Sequence, residues 1–260
     1  MNGSRMAKPV VVGIDGSAQS IAAAQWGVKE AISRDVPLRL VCVMKSKHPS
    51  SDDYYRDIHH AEESLRFAQA AVDAAGTYVK VETAILDGPP GAVLIEESRD
   101  AALICVGSVG IGQYARSILG STAAELTEKA HCPVAVIRPQ VFPSEKDVDW
   151  VVVAVNDKPD NDVVVESALT EAELRRAPVL MLGSHGSLEQ RVKQCSQHHP
   201  GVHIYPITEG AGVARFLKRH DERVQLAVIG STEANQLAHI IGPHGHRLFN
   251  HAQSSTLVVR

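Results

Sequence analysis

The stretch ALICVGSVGIGQYARSILGST, Ala102–Thr122, decides the fold. An apolar run passes directly into a loop that holds Gly107, Gly110, Gly112 and Gly120, and the helical pattern AAELTEKA, Ala123–Ala130, leads out of it. A short continuous apolar run suits a strand covered on both faces. Glycines where a strand hands over to a helix let backbone N–H groups approach a ligand closely. A helix beginning near Ser121 adds its positive dipole end, and Ser121 and Thr122 add hydroxyl donors. The loop therefore suits a polyphosphate held by backbone dipoles without a lysine. The Walker pattern GxxxxGK[ST] is absent. The string GIGQYA, Gly110–Ala115, follows the fourth strand of its unit, so the dinucleotide fingerprint, which belongs after the first, is set aside.

Working outward, short β-branched runs alternate with helical patterns. VVVGI (Val10–Ile14), PLRLVCVM (Pro37–Met44), VKVETAIL (Val79–Leu86), ALICVG and PVAVIRP (Pro133–Pro139) read as five strands. Asp15 or Ser17 is placed to cap the helix after the first strand. The polar segment Lys45–His60 reads as a loop, or a mobile flap over a site, ahead of a helix from about Ala61 to Ala75. This β-α alternation predicts a parallel sheet with helices on both faces and right-handed crossovers.

After residue 140 the order starts again. WVVVAV (Trp150–Val155), PVLMLGS (Pro178–Ser184), VHIYPI (Val202–Ile207), LAVIGS (Leu226–Ser231) and STLVVR (Ser255–Arg260) repeat the five strands in order. The offset is nearly constant, pairing Gly107 with Gly230, Gly120 with Gly242 and Arg138 with Arg260. The expected fold is α/β: two tandem, doubly wound, parallel five-stranded sheets, with domains at residues 1–142 and 143–260 and a hinge near 140–149.

Composition narrows the function classes. A net charge of −4 gives no basic face for nucleic acid, and 4% aromatic residues leave little for base stacking. No apolar run approaches the roughly 18 residues of a membrane span. The first residues carry no hydrophobic signal core, and none of the four cysteines forms a CxxC pair. They read as small buried hydrophobes, and the expected location is the cytoplasm.

Gly107-x-x-Gly110, nine residues, then Gly120-Ser121 resembles the nucleotide-binding pattern of the universal stress protein family, G-x2-G-x9-G-[ST]. The family's last strand, beginning CPV, is matched by HCPVAVIR (His131–Arg138), and its opening strand and turn by VVGIDGS (Val11–Ser17). The resemblance is close over residues 8 to 139 and in outline over the second half, as in the tandem-domain actinobacterial, mycobacterial-like members. It implies an ATP-binding domain, with Mg2+ as a possible companion of the phosphates. Adenine would lie between the first two strand ends, near Gly13, Asp15 and Val43, with Asp15 at the ribose or at a phosphate-bound metal. Gly107, Gly110, Gly112, Arg116, Gly120, Ser121 and Thr122 would surround the ribose and phosphates. The family also implies pairing of the last strands, within a chain or between chains, as a homodimer or pseudo-dimer.

The second copy departs from the pattern. Asn156 stands where Asp15 stood, Glu233 where Gly110 stood, and Pro243 follows Gly242 in place of serine. A carboxylate facing a polyphosphate and a lost N–H both oppose binding, so a weak or empty second site is expected. The counter-reading is that one deletion makes a variant nest from Ser231 and Gly242. The run HGHRLFNH, with His244, His246 and His251, is read as a loop and not a metal site. No catalytic residue and no protein-held metal is assigned. The expected role is a nucleotide-responsive stress or regulatory protein. The alternatives are a slow ATPase or adenylate-transferring enzyme using Asp15 and a divalent metal, and a scaffold paired through its last strands.

Overall fold

A computed structural model describes residues 7–110, 119–139, 148–208, 212–220, 223–241 and 254–260. Gly112, Arg116, Gly242, Pro243, the histidine run after them, most of the expected hinge and the 142/143 domain boundary lie outside the described residues. The chain divides into two compact units, and the changeover falls between Ile137 and Arg138.

The first unit contains strands β1 (Val10–Ile14), β2 (Leu38–Met44), β3 (Val81–Asp87), β4 (Leu103–Gly107) and β5 (Val134–Ile137). Helices α1 (Ala18–Ser33), α2 (Ser51–Asp73), α3 (Pro90–Glu97) and α4 (Ser121–Lys129) connect them. All strand pairs are parallel, in the order β3-β2-β1-β4-β5. The second unit repeats this with β6 (Trp150–Ala154), β7 (Val179–Leu182), β8 (Ile204–Ile207), β9 (Val224–Gly230) and β10 (Ser255–Val259). Its order is β8-β7-β6-β9-β10, strand for strand the arrangement of the first. Its helices are α5 (Asn161–Arg175), α6 (His185–His198), α7 (Val213–Arg219) and the short α8 (Leu237–Ile241). The expected tandem of doubly wound five-stranded sheets is the fold found.

The apolar runs form strands because both sheet faces are covered. Val10, Val11 and Val12, Leu40 and Val41, and Leu103, Ile104 and Cys105 are buried, which uses successive residues of a strand and not alternate ones. The edge strand β3 is only half-buried. All four cysteines are free and buried.

The reading of Lys45–His60 as a loop is wrong for most of its length. Helix α2 begins at Ser51, because Ser50 caps it by accepting from Asp53 N at 3.1 Å. The hydroxyl also donates to Asp53 Oδ2 at 2.8 Å, and Asp52 and Asp53 complement the dipole of the first turn. The PSSDD string is thus a helix start, which its polar composition disguises as a loop. Ala61, Ser64, Leu65, Ala68 and Val72 make the buried stripe, whereas Ser51–His60 contain no fully buried residue. A helix of 23 residues runs about 34 Å and a strand of seven about 23 Å. The first half of α2 therefore overhangs the strand end that it follows.

In the second unit, α6 is tied to α5 by His199, the residue after its last turn. Its Nδ1 lies 2.8 Å from Glu173 Oε1 and its Nε2 3.1 Å from Glu166 Oε1. Burial pushes the imidazole pKa down, but the two carboxylates outweigh it and hold it above the ordinary value. A raised folded pKa stabilises fully below the unfolded value, and the contribution is lost as pH rises through the folded one. The second unit is therefore expected to lose resistance to urea as pH is raised above the ordinary histidine value of about 6.5. Urea unfolding of wild type and His199→Gln checks this, and equal pH slopes for the two proteins would refute it.

Candidate functional site

The site is built where the sheet reverses direction. From β1 the chain moves outward to β2 and β3, then returns to β4 on the other side of β1, leaving a crevice at the carboxyl ends of β1 and β4. After β1, Gly16 turns with a φ of 82°, a conformation that favours glycine. That turn folds Ser17 back on Asp15, whose Oδ1 accepts from Ser17 N at 3.0 Å and Ser17 Oγ at 2.6 Å. Ser17 is the helix cap, since its hydroxyl accepts from Ser20 N at 3.1 Å. Of the two expected capping residues, the serine caps α1 and the aspartate orients the serine.

On the other side, Gly110 lies directly against Asp15. A Cβ on Gly110 would stand 2.4 Å from Asp15 Oδ2, so any larger residue there would push the carboxylate aside. Gly120 N donates to Ser108 O at 2.8 Å and closes the base of the loop. Gly120 then starts α4 with no side-chain cap, leaving the first-turn N–H groups for a ligand.

These groups surround a cleft of about 510 Å³, within the size range of small-molecule sites. Gly13, Asp15, Val43, Gly107 and Gly110 line it from the strand ends, and Gly120, Ser121 and Thr122 from the start of α4. Every expected site residue among the described ones thus meets in one place. Apolar walls come from Ile14, Leu94 and Val106. Cys42 also faces the cleft; burial, and secondarily the negative charge of Asp15, push its thiol up to about 11. It is a protonated wall and not a nucleophile. Lys45 and His60 line the cleft too, and the sequence reading passed over both. Lys45 directly follows β2, and the signal for His60 was the helix start at Ser50, because a helical Ser51–His60 carries His60 back toward the strand ends.

The corresponding place in the second unit is built differently. Asn156 Oδ1 accepts from Lys158 N at 3.0 Å, reproducing the turn after β1. Asn161 Oδ1 accepts from Asn156 N at 3.2 Å, as Ser20 Oγ does from Asp15 N at 3.4 Å. Beyond β9, however, Ser231–Gln236 form a 3-10 turn in place of a glycine loop. Lys158 Nζ reaches Thr232 Oγ1 at 3.0 Å and Glu233 Oε1 at 3.5 Å. Glu233, expected to face the site as a bare negative charge, instead shares an ion pair with Lys158.

The fold and site define a tandem α/β protein whose first unit has an open, glycine-lined cleft at a sheet switch point. Residues 6–138 match the model of the universal stress protein family. The chain is 60% identical to Universal stress protein Rv2624c of Mycobacterium tuberculosis, with 97% of this chain and 96% of that protein covered. It is 33% identical to Universal stress protein Rv2028c of the same organism, covering 100% of this chain and 98% of the other. A solved universal stress protein from Archaeoglobus fulgidus aligns with a TM-score of 0.70 over 98% of this chain and 97% of its own. At 16% identity that likeness speaks to the fold alone. The chain belongs to the universal stress protein family, in its tandem-domain, mycobacterial type. Among the described residues no helix is long and apolar enough to cross a membrane.

Proposed function

We propose that the first unit binds an adenine nucleotide, ATP, and that the occupied state of its glycine loop is what a regulatory partner reads. The carrying observation is the meeting of Asp15, Gly110 and the uncapped start of α4 around one cleft. Adenine lies toward Gly13, Asp15 and Val43, and the ribose and phosphates toward Gly107, Gly110, Gly120, Ser121 and Thr122. Gly112 and Arg116 belong to the same loop in sequence. Asp15 is the acidic group of the described cleft walls, so it is the residue that would face Mg2+ accompanying the phosphates. Signalling by such binding requires that the ligand prefer one of two conformations. The four buried free cysteines are in keeping with a reducing, cytoplasmic compartment.

The second unit does not bind nucleotide in this reading. The Lys158–Glu233 pair and the 3-10 turn stand in place of an open nest, and the unit's role is structural or regulatory. Pairing of last strands, within a chain or between chains, remains part of the proposal; a particle of 28.0 kDa by sedimentation would remove the between-chain form.

Nucleotide released on denaturation tests the reading, in wild type and in Gly120→Ala. A Cβ at Gly120 would stand 3.5 Å from Ser108 O and Val109 Cα, an ordinary contact, so this variant changes the cleft wall and leaves the fold. About one equivalent of ATP per wild-type chain is expected, with affinity weakened about tenfold in the variant. Two equivalents would overturn the assignment of the second unit. None released, together with no ATP binding by calorimetry, would overturn the nucleotide reading and leave the scaffold ahead. Release of ADP beyond stoichiometry from added ATP would move the protein to the slow ATPase.

A further inference from the structure

The cleft has two basic side chains on its described walls, Lys45 and His60, and neither comes from the glycine loop. Lys45 is the first residue beyond β2, whose end is pinned where Gly88 N donates to Met44 O at 2.8 Å. Pairing of Ile14 with Cys42 puts Lys45 past the level of Asp15, beside the mouth. His60 lies at the junction between the overhanging first half of α2 and its buried stripe. Both side chains are exposed, and no hydrogen bond or ion pair to the described residues holds either one.

Exposed cations usually find carboxylate neighbours or point into bulk water. Here Lys45 and His60 both line a cleft whose described walls otherwise carry the negative charge of Asp15, which by itself would repel an anion. We infer that Lys45 and His60 form a basic rim that selects the phosphorylated nucleotide over the bare nucleoside, Lys45 by its charge and His60 by a ring N–H donor, each facing the anionic part of the ligand. They are specificity-determining residues. Backbone dipoles of the loop supply shape, and Lys45 and His60 add polar recognition from the β2–α2 side of the cleft. The inference rests on the nucleotide reading of this cleft.

The test is calorimetric titration of wild type, Lys45→Gln, His60→Gln and the double variant with adenosine, AMP and ATP, at low and at moderate salt. Because neither residue is buried or bonded, all variants are expected to unfold at the wild-type temperature. Each single change is expected to weaken ATP binding roughly three- to fivefold and the double change about tenfold, less at higher salt. Adenosine affinity is expected to stay unchanged. Equal losses for adenosine and ATP, or no loss for ATP, would overturn the rim while nucleotide binding by the cleft stood. Failure of the wild type to bind any of the three would overturn the underlying reading itself, and the rim with it.

Discussion

Replacing Glu171 by leucine is expected to destabilise the second unit by about 3–5 kcal/mol, because it leaves a guanidinium buried without its carboxylate. Glu171 and Arg175 sit one turn apart on α5, with side chains only 3% and 6% exposed. The same spacing on a solvated helix face contributes about 0.2–0.5 kcal/mol, so burial decides the magnitude. Arginine cannot escape the cost by losing its proton. The double variant Glu171→Leu/Arg175→Met, which removes both charges, is expected to recover most of the loss. The first unit carries the same pair at the same station, Glu30 on α1 and Arg34 just past its end, but there the arginine side chain is 33% exposed. Glu30→Leu should therefore cost clearly less. Chemical unfolding of the three variants checks this; a single-variant loss under about 1 kcal/mol would show that the α5 pair behaves as a solvated one.

Gly107→Ala is expected to cost the first unit about 1–3 kcal/mol and to abolish nucleotide retention at the same time. A Cβ there would stand 2.7 Å from Gln19 Cβ, 2.9 Å from Gln19 backbone carbon and 3.1 Å from Ser20 N. Two of those atoms are main chain in the first turn of α1, so relief requires the helix start to move away from β4. That helix start holds Ser17 and, through it, Asp15. Stability and ligand should fall together, in contrast to Gly120→Ala, where only the ligand is affected. At the matching Gly230 a Cβ would meet Asp160 Oδ2 at 2.7 Å, the end of a side chain, so Gly230→Ala is the milder control. Denaturant unfolding and nucleotide release measured on the same preparations check the pair. Unchanged stability in Gly107→Ala would mean that α1 and β4 are not packed as tightly as described.

The site was legible in outline because its parts are backbone features that only certain residues permit. A glycine loop, an Asp-Gly-Ser turn and a hydroxyl pair at a helix start can be recognised from spacing, and the structure brings their described members to one cleft. Lys45, His60 and the Lys158–Glu233 pair were not legible, because each depends on a tertiary neighbour. His60 reaches the cleft only because α2 begins ten residues before its apolar stripe and overhangs β2. The sign of Glu233's influence depends on Lys158, far away in sequence and brought near only by the pairing of β6 with β9.

The sequence by itself determined the alternation of strand and helix, the internal repeat, the parallel sheets and the glycine loop's position at a strand end. Hydrophobic periodicity and glycine placement are local properties, and every copy of the pattern carries them. Only the tertiary structure decided how close Gly110 comes to Asp15, that Lys45 and His60 meet at the cleft, and that Lys158 pairs with Glu233 in the second unit. Those are distances between atoms on different elements, and they are set by the packing of helices on the sheet.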